Sequence, residues 1–327
     1  MGYLQAIVQK EGSEELYIGT YEDPVIGNDD LMVEVKAAAI NRGDLLQKKG
    51  LYPPPRGAST IIGLEMAGEV VEVGGNVKKW KPGDRVYSIL PGGGYARQVS
   101  LPAAHAMRIP DNLSFVEAAA IPEAYLTAYL NMHRLGGLQE KENVLIHAGA
   151  SGVSTAAIQL AREAGARAFV TAGSQEKLEV CESLGAEVLI NYKEQNFEDI
   201  VLEHTNDEGV QLILDFIGAS YWDKNIASLA KDGRWVIIGV MGGVEKTINL
   251  REVMRKHAKI IGSTLRTRTD DFKADLIQEF ATYASPRLTD GRLRPVIDSV
   301  YNWKDVNEAH RHMAENKNIG KVILEID

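Results

Sequence analysis

The pattern of hydrophobic and polar residues changes along the chain, and its first part alternates with a period of two. Alternating segments occur at 31–37, 68–74 and 85–88, and turns rich in Pro and Gly, such as 81–84, separate them. Such alternation is typical of strands with one buried face. We therefore predict that residues 1–122 form an all-β domain, folded as a barrel or a sandwich.

From about residue 123 the predicted strands become continuous apolar runs with helices between them. Continuous runs are typical of parallel strands buried on both faces, and residues 154–164 place apolar side chains at helical spacing. The repeated strand–helix order predicts a doubly wound α/β domain over residues 123–266. Its six predicted strands are 144–148, 168–171, 188–190, 212–216, 235–238 and 260–262.

The last part of the chain returns to the earlier pattern. After a predicted helix at 271–284, residues 321–326 alternate like the strands of the first domain. We therefore expect residues 1–122 and 267–327 to form one discontinuous domain.

Composition and charge narrow the class of protein. The chain has 327 residues and a net charge of −9, which corresponds to about two domains of ordinary globular composition. An acidic chain without a basic run is repelled by nucleic acid, so nucleic-acid binding is not expected. No apolar run reaches the roughly 18 residues of a membrane helix, and the first residues lack the features of a signal peptide. We expect a cytoplasmic protein.

Small residues connect the first strand of the α/β domain to its helix. Gly149, Ser151, Gly152 and Val153 lie in this connection, and Ser154 follows them. Such a turn lets backbone amides and the positive end of a helix approach a pyrophosphate group. The G-x-G-x-x-G pattern is not matched, so a tight turn without a ligand is the alternative. The strand before and the helix after it favour a dinucleotide site.

The second strand of this domain ends without a carboxylate. Sites that prefer NAD place Asp or Glu there to bind the ribose 2′-hydroxyl. Here the strand runs into Gly173 and Ser174, with Lys177 one helical turn later. The Ser174 hydroxyl and the Lys177 ammonium can bind a 2′-phosphate. Tyr192 can add a hydrogen bond or stack on the adenine. We therefore predict NADP(H) as the cofactor; the alternative for Lys177 is a solvated surface lysine.

Several segments together resemble a known family, the zinc-independent quinone oxidoreductases of the medium-chain dehydrogenase/reductase superfamily. The segments are AINRGDL at 39–45, GLEMAG at 63–68, PGDRV at 82–86, IHAGASGV at 146–153 and NIGKV at 318–322. Those most similar to the p53-inducible quinone oxidoreductase branch are 91–94, 119–124, 171–175 and 316–321. The resemblance implies a GroES-like β-barrel catalytic domain and a Rossmann cofactor domain.

The resemblance also separates the chain from zinc-dependent relatives. Asn41 and Leu64 stand where those relatives carry their first cysteine and their histidine ligands. The single cysteine, Cys181, lies in a helical pattern and is expected to pack as a small apolar residue. His310 and His312, two apart on a predicted helix, make a poor metal pair. We therefore expect no metal.

Without a metal, quinone reduction is the activity that the resemblance implies. Alcohol oxidation lacks its Lewis acid, whereas a quinone accepts hydride once it is aligned and its oxygen is stabilised. Asn41 is expected to donate its amide to the acceptor or the cofactor, and Tyr52 to donate its hydroxyl and offer a flat ring. The alternative for Tyr52 is a packing residue beneath a proline loop. Further cofactor contacts are carried over from the family to Thr127, Ser263, Leu265, Lys317 and Asn318. Phe216, Gly239 and Met241 follow predicted strands at their carboxyl ends, where ligands bind in open α/β sheets.

Two other functions stay open at this point. One is NADPH-dependent reduction of an activated C=C bond in an enal, enone or enoyl thioester, which needs a positioned proton donor. The other is a cofactor-dependent RNA-binding protein, which the negative charge disfavours. The resemblance also implies a homodimer paired through the edge of the cofactor domain, around 235–240 and 260–265.

Overall fold

The computed structural model describes residues 2–327, and the chain divides into two compact units. Unit 1 extends to Leu126 and resumes at Leu265, and unit 2 comprises Thr127–Thr264. The sequence pattern predicts these boundaries at 122 and 267. No helix within residues 2–327 is both long and apolar enough to cross a bilayer.

The secondary structure follows the strand and helix patterns of the sequence closely. The strands are β1 (Tyr3–Gln9), β2 (Leu16–Glu22), β3 (Asp30–Ile40), β4 (Glu65–Val73), β5 (Arg85–Ile89), β6 (Gln98–Pro102), β7 (Met107–Arg108), β8 (Asn143–Ile146), β9 (Arg167–Ala172), β10 (Val188–Asn191), β11 (Val210–Asp215), β12 (Leu229–Ile237), β13 (Lys259–Gly262), β14 (Ile297–Asn302) and β15 (Lys321–Glu325). The helices are α1 (Arg42–Lys48), α2 (Phe115–Ala119), α3 (Pro122–Tyr129), α4 (Gly152–Glu163), α5 (Gln175–Leu184), α6 (Phe197–His204), α7 (Trp222–Ser228), α8 (Leu250–Lys256), α9 (Asp270–Thr289) and α10 (Val306–Ala314).

Unit 1 contains two largely antiparallel sheets. β1 and β2 form a hairpin, and the larger sheet has the order β14-β15-β3-β4-β5-β7, with β6 paired to β3. The alternation in β3 places Leu31, Val33 and Val35 in a core with Met66 and Val86. This is the predicted β domain.

Helices also occur in the region that the sequence pattern predicts to be all-β. They are α1 and α2, and their apolar periodicity is too short to be detected. A local signal marks the start of α2: Ser114 Oγ accepts from the Glu117 amide (3.2 Å), and Glu117 Oε2 accepts from the Ser114 amide (2.8 Å). This is a capping box, which satisfies amides that the first helical turn leaves unpaired.

Strand β15 completes the larger sheet of unit 1. It pairs antiparallel with β3, where Val322 lies opposite Ile40, and parallel with β14. Val322 and Leu324 are buried in the same core as the residues of β3. Helix α9, which lies before β14 and α10 in the chain, is longer than the predicted 271–284 and begins at a Thr269 cap. Unit 1 is therefore built from two separate stretches of the chain.

Unit 2 contains one sheet of six parallel strands. Their order is β10-β9-β8-β11-β12-β13, and every neighbouring pair is parallel. Counted from β8, this is the strand order 3-2-1-4-5-6 of the doubly wound dinucleotide-binding fold. The six predicted strands and the α/β fold class are confirmed.

Helix α4 begins two residues before its predicted start because Ser151 caps it. Ser151 Oγ accepts a hydrogen bond from the Ser154 amide at 3.3 Å, as an N-cap residue does. Its small residues Ala156, Ala157 and Ala161 are fully buried. Small side chains let the helix approach the sheet closely.

The turn before α4 contains a strained residue. Ala148 has a φ of 51°, in the left-handed region. This conformation costs an L-residue about 1–2 kcal/mol, because Cβ approaches the carbonyl oxygen. Glycine adopts it without that clash.

We expect Ala148→Gly to raise the free energy of unfolding by about 0.5–1 kcal/mol, less than the full strain because glycine also gains freedom in the unfolded chain. Urea denaturation followed by circular dichroism measures the change. Ala150→Gly is the matched control: Ala150 is buried and has no positive φ, so this change should be destabilising. Destabilisation by both substitutions would contradict the strain at Ala148.

Candidate functional site

The predicted cofactor residues of unit 2 that lie beyond Thr127 follow the carboxyl ends of its strands, except Lys177, which lies in the first turn of α5. Gly149, Ser151, Gly152 and Val153 follow β8; Gly173 and Ser174 follow β9; Tyr192 follows β10; Phe216 follows β11; Gly239 and Met241 follow β12; and Ser263 follows β13. Carboxyl ends of parallel strands share one edge of a sheet. The strand order reverses between β8 and β11, and ligands of such sheets bind at that reversal.

The hydroxyl groups in the turn after β8 are used to build the turn itself. Ser154 is fully buried, and its Oγ donates to the His147 carbonyl at 2.9 Å. Ser151 Oγ donates to Ser154 Oγ, also at 2.9 Å. Ser154 therefore replaces the third glycine of the usual motif without an unsatisfied hydroxyl. The first amides of α4, like those of any helix, lack partners within the helix and suit an anion.

Gly149 is required by close packing. A Cβ at this position would lie 2.0 Å from Val170 Cγ1 and 3.0 Å from Cys181 Sγ. Cys181 is fully buried, and burial raises the pKa of its thiol to about 12. It packs as a small apolar side chain, as predicted, and brings α5 against the turn.

The end of β9 forms a cradle that a side chain would fill. A Cβ at Gly173 would lie 2.7 Å from the Tyr192 hydroxyl oxygen and 3.3 Å from Lys193 Cε. Ser174 caps α5, where its Oγ accepts from the Lys177 amide at 3.4 Å and keeps its own proton to donate. Lys193 is a neighbour that the sequence analysis missed. Hydroxyl and ammonium donors around a glycine suit a phosphate group.

A buried carboxylate shapes the loop after β11. Asp215 is fully buried, and its Oδ1 accepts from the amides of Ile217 (2.7 Å) and Gly218 (3.0 Å). Its Oδ2 accepts from Trp235 Nε1 (3.0 Å) and Asn225 Nδ2 (3.2 Å). These bonds fix the backbone on both sides of Phe216.

The Asp215 network extends to the turn after β8. Asn225 Oδ1 lies 2.7 Å from His147 Nε2, and burial lowers the pKa of His147. The neutral imidazole donates from Nε2 to the Asn225 oxygen. The loops that follow β8 and β11 are therefore held by one connected set of hydrogen bonds.

In unit 1, the side-chain amide of Asn41 belongs to a network of hydrogen bonds with Glu65 and Lys321. Its Nδ2 donates to the Ala39 carbonyl (3.2 Å) and to Glu65 Oε1 (2.8 Å), and its Oδ1 accepts from Lys321 Nζ (2.7 Å). Both amide hydrogens are used within unit 1, so none is left for an acceptor or a cofactor. Asn41 instead helps to hold Lys321.

The residues at the positions that the family resemblance assigns to zinc ligands do not fit a zinc ion well. Lys321 Nζ also donates to Glu65 Oε1 at 2.6 Å, which places an ammonium group beside Asn41. The ammonium group occupies the Asn41 oxygen and the Glu65 carboxylate oxygen, and Leu64 offers no ligand atom. Within the part of the chain that the structure describes, no three or more His, Cys, Asp or Glu side chains form a group able to hold a metal. His310 and His312 have separate partners, Tyr95 and Asp298.

Tyr52 is half-buried beside a cation that the sequence analysis missed. The Arg266 guanidinium lies over the Tyr52 ring, 4.9 Å from its centroid. Burial raises the pKa of Tyr52, Glu123 raises it further, and Arg266 lowers it. The phenol is therefore protonated and able to donate at neutral pH.

The remaining predicted cofactor residues are distributed over both units. Thr127, the first residue of unit 2, is 7% exposed. Leu265, Lys317 and Asn318 belong to unit 1; Lys317 pairs with Glu315, and Asn318 Nδ2 donates to the Gly320 carbonyl at 2.8 Å. Their cofactor contacts stay predictions.

Comparisons with known proteins agree with this architecture. Two family models match, the alcohol dehydrogenase GroES-like domain over residues 27–111 and the zinc-binding dehydrogenase domain over residues 152–282. The human quinone oxidoreductase is 31% identical over 92% of this chain and 90% of its own length.

Solved structures of similar proteins cover almost the whole chain. An NAD-dependent alcohol dehydrogenase is 32% identical, with a TM-score of 0.87 over 99% of this chain and 100% of that one. The CurK enoyl reductase is 27% identical, with a TM-score of 0.87 over 99% of each chain. With the two units described above, these matches show that the chain belongs to the medium-chain dehydrogenase/reductase superfamily and is an oxidoreductase.

Proposed function

We propose that the protein is an NADPH-dependent quinone reductase that works without a metal. One hydride and one proton are added to the quinone, giving a hydroquinone and NADP⁺. The observation that carries this proposal is the Lys321 ammonium beside Asn41 and Glu65. It puts a fixed cation where alcohol-oxidising relatives hold zinc, and a quinone is an acceptor that needs no Lewis acid. The identity to a quinone oxidoreductase supports the same substrate class.

The residues at the carboxyl edge of the unit 2 sheet fit NADP(H). When bound, the cofactor supplies hydride from C4 of its nicotinamide ring. The start of α4 suits its pyrophosphate, and the cradle at Gly173 suits the 2′-phosphate. Ser174, Lys177 and Tyr192 would hold that phosphate, with Lys193 beside them. A carboxylate at the end of β9 would favour the 2′-hydroxyl of NAD instead.

Tyr52 is the donor that this chain offers to the acceptor. Since the amide hydrogens of Asn41 are already used, the phenol takes this role alone. A hydrogen bond from its hydroxyl stabilises the negative charge that develops on the acceptor oxygen as hydride is added. Its flat ring also suits a quinone.

A second candidate is reduction of an activated C=C bond. The likeness to an enoyl reductase favours it, and a protonated phenol can also serve as an acid for carbon. The two candidates use the same donor and differ in the acceptor.

We expect steady-state assays to show rapid NADPH oxidation with an ortho-quinone and a para-quinone, and slow oxidation with a 2-alkenal or a crotonyl thioester. Tyr52→Phe should lower kcat/KM for the quinone by about 10- to 100-fold, because a donor to the developing oxyanion is lost. Tyr125→Phe is the matched control, since its hydroxyl donates to the Arg294 carbonyl (2.8 Å). A preference for the thioester would favour the second candidate, and an unchanged rate in Tyr52→Phe would remove Tyr52 from the reaction.

For the cofactor, Lys177→Glu should raise KM for NADPH on the order of tenfold or more and leave KM for NADH nearly unchanged, because only NADPH carries a 2′-phosphate for the lysine to contact. Lys141→Glu makes the same charge change on an exposed lysine before β8 and should alter neither value. Equal use of NADH and NADPH by the unmodified protein would show that the cradle at Gly173 does not select a phosphate.

We also propose that two chains pair through β13. This strand lies at the edge of its sheet and pairs only with β12, and an open edge offers backbone groups to a second strand. Large apolar side chains are exposed before it in the chain, at Val244, Leu250 and Met254. Pairing about a two-fold axis buries the same residues on both chains.

Sedimentation equilibrium should therefore give twice the chain mass of 35.8 kDa. The double variant Leu250→Glu/Met254→Glu should shift the protein toward 35.8 kDa, because charged side chains disfavour a buried apolar contact. Val25→Glu, at an exposed apolar residue of unit 1, should leave the mass unchanged. A single species of one-chain mass in the unmodified protein would contradict the dimer.

A further inference from the structure

Arg266 is a buried cation whose hydrogen-bond acceptors are all neutral. Its side chain is 5% exposed. Nε and Nη2 donate to the Pro91 carbonyl (2.9 and 2.7 Å), Nη1 donates to the Tyr52 carbonyl (3.0 Å), and Nη2 donates to Gln47 Oε1 (2.6 Å). A buried charge that is hydrogen-bonded only to neutral acceptors is unfavourable for folding, so this arrangement points to a role beyond stability.

The same guanidinium holds Tyr52 from two sides. It bonds the backbone carbonyl of Tyr52 and lies over the face of its ring. A cation over an aromatic face is attracted to it and restricts its orientation. Positive charge near a phenol also favours its ionised form, which makes the hydroxyl a stronger hydrogen-bond donor.

We propose that Arg266 is a positioning residue for Tyr52, which fixes its ring and strengthens its hydroxyl as a donor to the acceptor. The inference rests on the proposed function, because it assigns the group through which Tyr52 acts.

Neighbouring carboxyl groups influence the electrostatic effect of Arg266 on the Tyr52 hydroxyl. Glu123 and Arg266 line one small cavity of about 10 Å³, with room for about one water. The charges of Glu123, Arg266 and Asp44 all act on the pKa of Tyr52. Burial raises the pKa of Glu123 to about 8 and that of Asp44 to about 7. Burial therefore favours the uncharged form of both carboxyl groups, which weakens their opposition to the Arg266 charge.

The direct test is the titration of the Tyr52 hydroxyl in the full-length protein. The protein is produced with 3-fluorotyrosine, whose phenol ionises at lower pH, and the ¹⁹F signal of position 52 is assigned by its loss in Tyr52→Phe. In Arg266→Met the phenol pKa should rise by about 1 unit or more, because a nearby cation is removed. In Arg266→Lys, which keeps the charge, the rise should be smaller. An unchanged pKa in Arg266→Met would overturn the proposal.

Kinetics supply an independent readout. Arg266→Met should lower kcat/KM for the quinone by about 10-fold or more and leave KM for NADPH unchanged. In the Tyr52→Phe background, Arg266→Met should lower kcat/KM for the quinone by less than about 3-fold. The effects of two substitutions that remove the same interaction are not additive. Additive losses would mean that Arg266 acts independently of the phenol.

The controls separate this inference from the proposed function. Arg268 also lies over an aromatic ring, that of Phe272 at 4.9 Å, and Arg268→Met should leave the Tyr52 titration unchanged. If the protein reduces no quinone, the proposed function fails, while the ¹⁹F titration still decides the role of Arg266. If Arg266→Met does not fold, Arg266→Lys carries the test, with a raised phenol pKa or a lowered kcat/KM supporting the positioning role and no change opposing it.

Discussion

Unit 1 depends on the buried ion pair between Lys321 and Glu65. Glu65 is fully buried, Lys321 is 4% exposed, and their charged atoms are 2.6 Å apart. Glu65 also accepts from Asn41 Nδ2 and from the Glu123 amide. One carboxylate thus joins β4, the end of β3, the start of α3 and the returning strand β15. Removing either charge alone would leave the other buried and uncompensated, at a typical cost of about 3–5 kcal/mol.

Unit 2 uses a buried carboxylate differently. Asp215 is satisfied by two amides, an indole and a carboxamide, with no cation among these four donors. The two amide bonds constrain the backbone of the loop after β11, and the two side-chain bonds hold the carboxylate in place. In unit 1 the Glu65 carboxylate connects separate segments of the chain. In unit 2 the Asp215 carboxylate orders the edge of the sheet at which a dinucleotide is expected.

The sequence predicts those features that depend on local pattern. Continuous apolar runs with helices between them predict the sheet of unit 2. Residues at strand ends, such as Gly173 and Tyr192, are predicted to lie on one edge because parallel strands end together. The network around Asn41 could not be predicted, because Lys321 is separated from it by most of the chain. Arg266 was missed for a related reason: a single arginine after a strand carries no pattern, and its partners are Tyr52, Gln47 and Pro91, far away in sequence.

The return of β15 to β3 also determines the order in which the protein can fold during synthesis. The ribosome releases β3 and β4 well before it makes β15, and the strands of unit 2 are completed in between. Until β15 emerges, the stretch of β3 that it pairs with is an open edge, and Glu65 has no cation. Newly made chains expose such edges to aggregation. The sheet of unit 1 therefore stays incomplete throughout the synthesis of unit 2. We expect chaperone binding to the nascent chain to be favoured during that interval.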